Sequence, residues 1–331
     1  MELARKSAVP ILVTGASGFI GRHLISKLME DRALVRVVTR SPDRLPPEWT
    51  GRAEVITGNL LEKGTLETAT KGVSIVFHLA GETQDQASMS AVNAEATQHL
   101  VAAACAAGVK RFVHLSSVGV IGADDPWTIT EEAPCQPKNE YERTKLEGER
   151  AVLEFARSSG FDAVFVRPTI VFGEGVGRSR DSLLEWLKAV QRGRFAFIGT
   201  KAIANYVYVG DVVVAMLRLA EKPFPWGAIF HVADPAPMRD FVGAMAEALD
   251  VACPTRVVPA WAAHAVAVGL EAANRFLGTP APLTVLRVRA LSSACRFGGD
   301  KLRTQAGVTL PFGYRTGLMR TVRWYQATGK L

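Results

Sequence analysis

The stretch Ile11-Leu-Val-Thr-Gly-Ala-Ser-Gly-Phe-Ile-Gly21 limits this chain more than any other, because a short apolar run passes directly into three glycines spaced G-x-x-G-x-x-G. Val9 to Val13 reads as a buried parallel strand, and Ile20, Leu24 and Leu28 fall on one helical stripe. The pattern predicts a strand, a tight turn and a helix start. Gly15 permits the turn, Gly18 carries no Cβ to block a pyrophosphate, and Gly21 lets the helix lie close on the strand. Unsatisfied N–H groups at the start of a helix attract an anion, so a nucleotide diphosphate is the expected ligand. The expected contacts here are Gly15, Ser17, Gly18, Phe19, Ile20 and Gly21.

The chain has 331 residues, 48% hydrophobic and 21% charged, enough for one large α/β unit or a cofactor domain plus a smaller one. Cys105, Cys135, Cys253 and Cys295 are far apart, with no CxxC and no Cys/His cluster at ligand spacing. No metal site is expected, and reduced thiols point to the cytoplasm. Charges precede the first apolar run, but that run is too short for a signal peptide and continues into the glycine turn. The longest apolar run, Val257 to Leu270, is interrupted by His264 and falls short of the ~20 residues of a membrane span. A helix packed within the protein is expected there, with an apolar lid or a membrane-surface helix as the alternatives. The net charge of +7 gathers late, where Arg287, Arg289, Arg296, Lys301, Arg303, Arg315, Arg320 and Arg323 are accompanied only by Asp300. A solvated basic face is expected. A membrane surface is not favoured as a partner, and no nucleic-acid motif accompanies the charge.

Further strands are predicted at Leu34 to Thr39, Ala53 to Thr57, Ser74 to His78, Arg111 to Leu115, Asp162 to Val166 and Ala228 to Val232. In an open α/β sheet the strand ends line the ligand crevice. The second strand ends in Arg40 with no acidic residue, and arginine suits a ribose 2′-phosphate where a carboxylate would suit a free 2′-hydroxyl. NADP(H) is therefore preferred over NAD(H). Asn59 and Leu60 follow the third strand, and Leu79, Ala80 and Gly81 the fourth, where His78 reads as a satisfied core histidine. Asn93 and Thr97 open an alanine-rich helix running through Ala107. The fifth strand delivers Ser116 and Ser117 to the same edge. Tyr141 and Lys145, four apart in a helical segment reaching about Ser159, project together into the crevice. Arg167 and Pro168 end the sixth strand.

Taken in order, Val13-Thr-Gly-Ala-Ser-Gly-Phe-Ile-Gly21, His78-Leu-Ala-Gly81, Asn93, Ser116-Ser117, Tyr141-x-x-x-Lys145, Arg167-Pro168 and Val207-Tyr-Val-Gly-Asp211 resemble the extended short-chain dehydrogenase/reductase superfamily, the NAD-dependent epimerase/dehydratase group. The resemblance spans roughly residues 9 to 235 and is faint beyond. It implies a Rossmann-type, doubly wound parallel sheet of about seven strands with a smaller, mainly C-terminal substrate domain. The expected division is 8–170 plus 205–233 for the dinucleotide and 171–204 plus 234–331 for the substrate. It also implies that Tyr141 exchanges a proton with the substrate, that Lys145 supports the phenolate and the nicotinamide ribose, and that Ser117 holds the reacting oxygen. Tyr141, Lys145 and Pro168 join the expected cofactor contacts, and a homodimer is the usual assembly. Val120-Ile-Gly122 stands where the group often has Val-Tyr-Gly, a departure from the pattern.

Within this group, Arg40 resembles the dihydroflavonol-reductase-like members, and the apolar segment Val257 to Phe276 resembles the 3β-hydroxysteroid-dehydrogenase-like branch. Sugar-nucleotide enzymes tend to place an arginine where this chain has Asn205. The expected activity is hydride transfer between NADP(H) and a secondary alcohol or ketone of a small, fairly apolar molecule. An NDP-sugar 4-epimerase or dehydratase with tightly held NAD is the alternative, with Arg178, Arg180 and Arg194 able to grip a diphosphate. A dinucleotide-binding sensor without turnover ranks third.

Overall fold

Every strand end singled out above emerges on one edge of a single sheet. The structure is a computed structural model that describes residues 9–122, 128–176, 181–225, 227–277 and 284–331, with 274–277 described by backbone alone. Seven parallel strands lie in the order β3-β2-β1-β4-β5-β6-β7: β1 (Ile11–Thr14), β2 (Val35–Thr39), β3 (Ala53–Thr57), β4 (Ile75–His78), β5 (Arg111–Leu115), β6 (Ala163–Pro168) and β7 (Ala228–Val232). The order reverses between β1 and β4, where an open α/β sheet opens its ligand crevice. Thr14 is in register with both Val38 and His78, and His78 with His114, so the strand ends are level at this point.

The period of two along each strand decides which helices cover which face. Ile11 and Val13 point to the side packed by α1 (Phe19–Glu30) and α7 (Val209–Glu221). Leu12, Val76 and Phe112 point to the opposite side, covered by α2 (Lys63–Thr70), α4 (Ala96–Ala106) and α5 (Glu140–Ser159). β1 begins at Ile11 rather than Val9, which is 38% exposed. The alanine-rich helix starts earlier than expected. Asp85 caps α3 (Gln86–Ser90) by accepting from the Ala87 N–H at 3.2 Å, and a π-helical turn, Ala91–Glu95, joins it to α4. Pro168 is the last residue of β6 and pairs with Val232, so Arg167 and Pro168 end this strand as expected.

A second hydrophobic cluster joins Phe172 to α6 (Ser182–Gln191), α8 (Met238–Leu249) and the C-terminal α12 (Gly313–Ala327), with Tyr206 stacked on Phe241 at 4.9 Å. The start of α12 is tied to the sheet by two carboxylates. Asp211 accepts from the Phe312 and Gly313 N–H groups at 3.0 and 2.9 Å, and Asp234 accepts from that of Tyr314 at 2.6 Å. The C-terminal helix is thus docked at its start, while its Arg315, Arg320 and Arg323 are exposed, as a solvated basic face requires.

The run Val257 to Leu270 departs from expectation. Val257–Val258 forms a short strand beside Phe197–Ile198, and α9 (Ala260–Leu277) follows, packed on α10 (Val285–Ser292). α9 is not packed within the protein. Of its residues 260–273 only Ala263 and Ala267 are buried, while Trp261 is 77% exposed. The short α11 (Asp300–Thr304) packs beside β7. Among the described residues no helix is long and apolar enough to cross a membrane.

Candidate cofactor and active site

Gly15 follows β1 with φ of +72°, and a Cβ there would lie 2.6 Å from backbone atoms of Leu79 and Ala80. No other residue fits between the ends of β1 and β4. Gly18 is the N-cap of α1 and brings no side chain to it, so the Phe19, Ile20 and Gly21 N–H groups lack intrahelical acceptors. Gly21 does more than approach a strand: a Cβ there would stand 2.2 Å from the Gly15 carbonyl oxygen, so the helix is seated on the turn itself. Ser17 is exposed, whereas Phe19 and Ile20 are half-buried and packed toward the second cluster. These residues form a cradle of bare N–H groups that side chains would fill, which fits a dinucleotide diphosphate.

Arg40 is exposed immediately after β2. A second arginine, not singled out in the sequence, reaches the segment that follows β2. Arg22 donates from Nε to the Ser17 carbonyl at 3.1 Å and from Nη2 to that of Arg44 at 3.4 Å, linking the glycine turn to the segment after β2. The Asn59 Oδ1 accepts from the Leu61 N–H at 3.2 Å and shapes its own turn, and Leu60 packs against the core face.

The approach of β4 to the site is fixed by a directional chain of hydrogen bonds. Thr97 Oγ1 donates to the Asn93 carbonyl at 2.7 Å, so it accepts from His78 Nε2 at 2.8 Å. The other ring nitrogen, Nδ1, then accepts from Thr14 Oγ1 at 2.7 Å, and Thr14 accepts in turn from the Ala80 N–H at 3.4 Å. His78 is thus a satisfied core histidine; burial, aided by the Lys145 charge, lowers its pKa to about 3. Asn93, on the π-helical turn, completes the support. Its Oδ1 accepts from the Glu82 N–H at 2.7 Å, and its Nδ2 donates to the Glu82 carbonyl and to Thr144 Oγ1, both at 3.0 Å. Asn93 thereby joins the loop carrying Gly81 to the helix carrying Tyr141 and Lys145. Its place in the motif was visible in the sequence, but this bridging was not.

Asn139 caps α5 by accepting from the Glu142 N–H at 3.0 Å, so Tyr141 occupies the first turn and is half-buried. Lys145 lies one turn on, only 5% exposed, and its Nζ donates to the Leu115 carbonyl at the end of β5 at 2.7 Å. A Cβ on Gly81 would stand 3.9 Å from that Nζ, so the bare Gly81 backbone lies next to the ammonium. Burial lowers the Lys145 pKa to about 8, with the Glu149 carboxylate opposing the shift. Glu149 is held by Arg167, Nε to Oε1 at 2.8 Å and Nη2 to Oε2 at 2.6 Å. Ser117 caps a 3-10 turn, its Oγ accepting from the Gly119 N–H at 3.1 Å, and remains half-exposed. Ser116 is buried. The structure therefore assembles Gly81, Leu115, Lys145 and the first turn of α5 at one strand edge, and the accessible member of the serine pair is Ser117.

Asn205 is committed elsewhere. Its Nδ2 donates to the Cys295 carbonyl at 2.8 Å and its Oδ1 accepts from the Phe297 N–H at 3.1 Å. Arg194 is exposed, and Arg178 and Arg180 lie outside the described residues.

The sequence model of the NAD dependent epimerase/dehydratase family matches residues 11–233, the span that contains the glycine turn, Asn93, Ser117, Tyr141, Lys145 and Arg167. The chain belongs to that family. Similar members include a 4-hydroxy-2-methyl-3-oxo-4-farnesyl-3,4-dihydroquinoline-1-oxide ketoreductase of Stigmatella aurantiaca, 29% identical over 92% of this chain and 93% of the relative. Another is an N-acetyl-alpha-D-glucosaminyl-diphospho-ditrans,octacis-undecaprenol 4-epimerase of Escherichia coli O157:H7, 25% identical over 95% and 94%. Among solved structures, MoeE5 in complex with UDP-glucose and NAD is 26% identical, superposing with a TM-score of 0.71 over 96% of this chain and 99% of that one. Reductase and epimerase branches of this NAD-dependent enzyme family thus lie at similar distance.

Proposed function

We propose that the protein is an NADP(H)-preferring oxidoreductase acting on a secondary alcohol or ketone of a small, fairly apolar molecule. The observation that carries this reading is the placement of a buried ammonium, Lys145, at the edge where β4 and β5 end, one helical turn from Tyr141. The bound dinucleotide supplies or takes the hydride; the protein's part is to orient the partners and move the proton.

Tyr141 is the proton donor and acceptor. An unperturbed phenol ionises near a pKa of about 10, and a fixed ammonium one turn away favours the phenolate. With its own pKa at about 8, Lys145 carries its charge at neutral pH and holds a proton for donation to the nicotinamide ribose. Ser117 donates a hydrogen bond to the reacting oxygen as charge develops on it. The bridge through Asn93 holds the Gly81 loop against α5, so crevice and proton donor keep their spacing.

Two observations favour reduction over sugar epimerisation. Arg40 stands at the strand end where a ribose 2′-phosphate would lie, Arg22 reaches the segment after it, and no carboxylate follows β2 until Asp43. Asn205, which stands where the sugar enzymes tend to carry a diphosphate-binding arginine, has both ends of its amide bonded to 295–297. The farnesylated substrate named for the Stigmatella relative agrees with an apolar substrate. The undecaprenol-linked sugar and the NAD-bound neighbour keep the epimerase as the rival. The deciding experiment examines purified protein for copurified dinucleotide and then titrates it with NADPH and NADH. Exchangeable, tighter NADPH is expected; copurified NAD that does not exchange overturns the reductase reading.

A further inference from the structure

The helix α9 exposes large apolar side chains and buries small ones. On α9, Trp261, Ala265, Val268 and Ala272 follow at intervals of four, three and four residues and share one face, and all four are exposed. The opposite face, carrying Ala263 and Ala267, packs against Ile198 and Val288. Within residues 260–273 the two buried side chains are both alanines, whereas Trp261, Val266 and Val268 are exposed. Trp261 is 77% exposed, Val266 55% and Val268 48%, and Leu286 at the start of α10 reaches 76%. An ordinary surface helix has the reverse arrangement, and clustered exposure of this kind marks a surface made to be covered.

The charge around the patch selects what covers it. From Cys253 to Arg296 the sequence carries five arginines and a single carboxylate, Glu271. Glu271 is already engaged, its Oε1 accepting from the Val285 N–H at 2.9 Å. Arg287 and Arg289 are exposed on α10 beside Leu286. A second copy seated on the same face would bring arginines against arginines. A lid closing over a substrate would turn its large side chains inward, which α9 does not do. An apolar layer edged by negative charge matches both features, and since no described helix can cross a membrane, the pair lies on the surface rather than spanning it.

We infer that α9 and α10 dock this protein on the surface of an anionic lipid bilayer, with Trp261, Val268 and Leu286 entering the interface and Arg287 and Arg289 facing the headgroups. The docking surface reverses the sequence-based preference for a buried helix, and it holds whether the enzyme is a reductase or an epimerase.

The test is flotation of the full-length protein with vesicles of phosphatidylcholine alone and of equal parts phosphatidylcholine and phosphatidylglycerol. Binding to the anionic vesicles is expected, weakening as salt is raised, with little binding to the neutral ones. The pair Trp261→Ser and Leu286→Ser, and separately Arg287→Glu and Arg289→Glu, should each lower partitioning at least about tenfold. These positions are exposed, so thermal unfolding should match the parent and separate lost docking from lost folding. Absence of binding to anionic vesicles overturns the inference, as does partitioning that either pair of substitutions leaves unchanged. A dimer in vesicle-free solution that Trp261→Ser and Leu286→Ser dissociate, with no flotation, overturns it in favour of contact between copies.

Discussion

Glu149 and Arg167 form a two-point ion pair between α5 and β6, with both side chains almost wholly buried, and Glu149 stands one helical turn beyond Lys145. The carboxylate thus faces two cations. It fixes the guanidinium through both oxygens while its charge holds the Lys145 ammonium in its protonated form against burial.

Glu149→Gln removes that charge and leaves two buried cations without it. A loss of about 3–5 kcal/mol is expected in urea denaturation, the range for breaking a buried pair from one side. In any surviving enzyme the Lys145 pKa falls below its present value of about 8, so the alkaline limb of the kcat/KM profile moves to lower pH. An unmoved limb would make the pair purely structural.

Lys145→Met should separate stability from turnover. With the folded pKa at about 8 and the unfolded value at 10.5, both states hold the proton below pH 8 and the cost of burying the charge is fully present. Between pH 8 and 10.5 the folded protein gives up the proton while the unfolded chain keeps it, so stability rises with pH by about 3 kcal/mol. The methionine variant lacks this rise. At pH 7 it should be more stable than the parent by about 1–2 kcal/mol, the remainder being offset by the orphaned Leu115 carbonyl, and it should be inactive. Paired chemical melts of dinucleotide-free protein at pH 7 and pH 10 measure both points.

Tyr141→Phe should reduce kcat by about 10²–10⁴-fold while the affinity for the preferred dinucleotide changes little. Stopped-flow turnover and fluorescence titration of the same preparation provide the comparison. Substantial residual activity would assign the proton to another group.

Arg40→Asp should move preference from NADPH toward NADH, since a carboxylate repels the 2′-phosphate and accepts from a free 2′-hydroxyl. The ratio of kcat/KM values for the two cofactors should fall by at least about tenfold. An unchanged ratio would exclude Arg40 from cofactor choice.

Asp211→Ala leaves the Phe312 and Gly313 N–H groups without their acceptor and should cost about 2–4 kcal/mol. Burial raises the Asp211 pKa to about 6, against the two backbone donors. A raised carboxylate pKa means that the folded state binds the extra proton between the unfolded value and pH 6. The parent's stability from this group therefore grows as pH falls through 6, and the alanine variant should not show that gain. Limited proteolysis near α12 reports whether the helix detaches.

The sheet was legible because its strands alternate between two buried faces, and Ile11, Leu12 and Val13 announce both in three residues. The glycine turn was legible because steric exclusion leaves few alternatives at Gly15 and Gly21. What escaped depends on contacts distant in the chain. Arg22 meets Arg44, Asn93 meets Thr144, and Glu149 meets Arg167; no local period encodes such pairs. The run from Val257 was misjudged for another reason. Apolar composition says that a segment avoids water, but not whether protein or another phase will shelter it.

The chain from Ala80 through Thr14, His78 and Thr97 to Asn93 points one way only, and it requires a neutral ring at its centre. With His78 ionising only near pH 3, and His114 beside it also well below the ordinary imidazole value through burial, the scaffold behind the crevice keeps a single protonic order around neutral pH. An inflection near neutrality in a rate profile therefore belongs to the substrate or to groups outside that imidazole pair, and acidification of the medium does not retune the platform on which the reaction is staged.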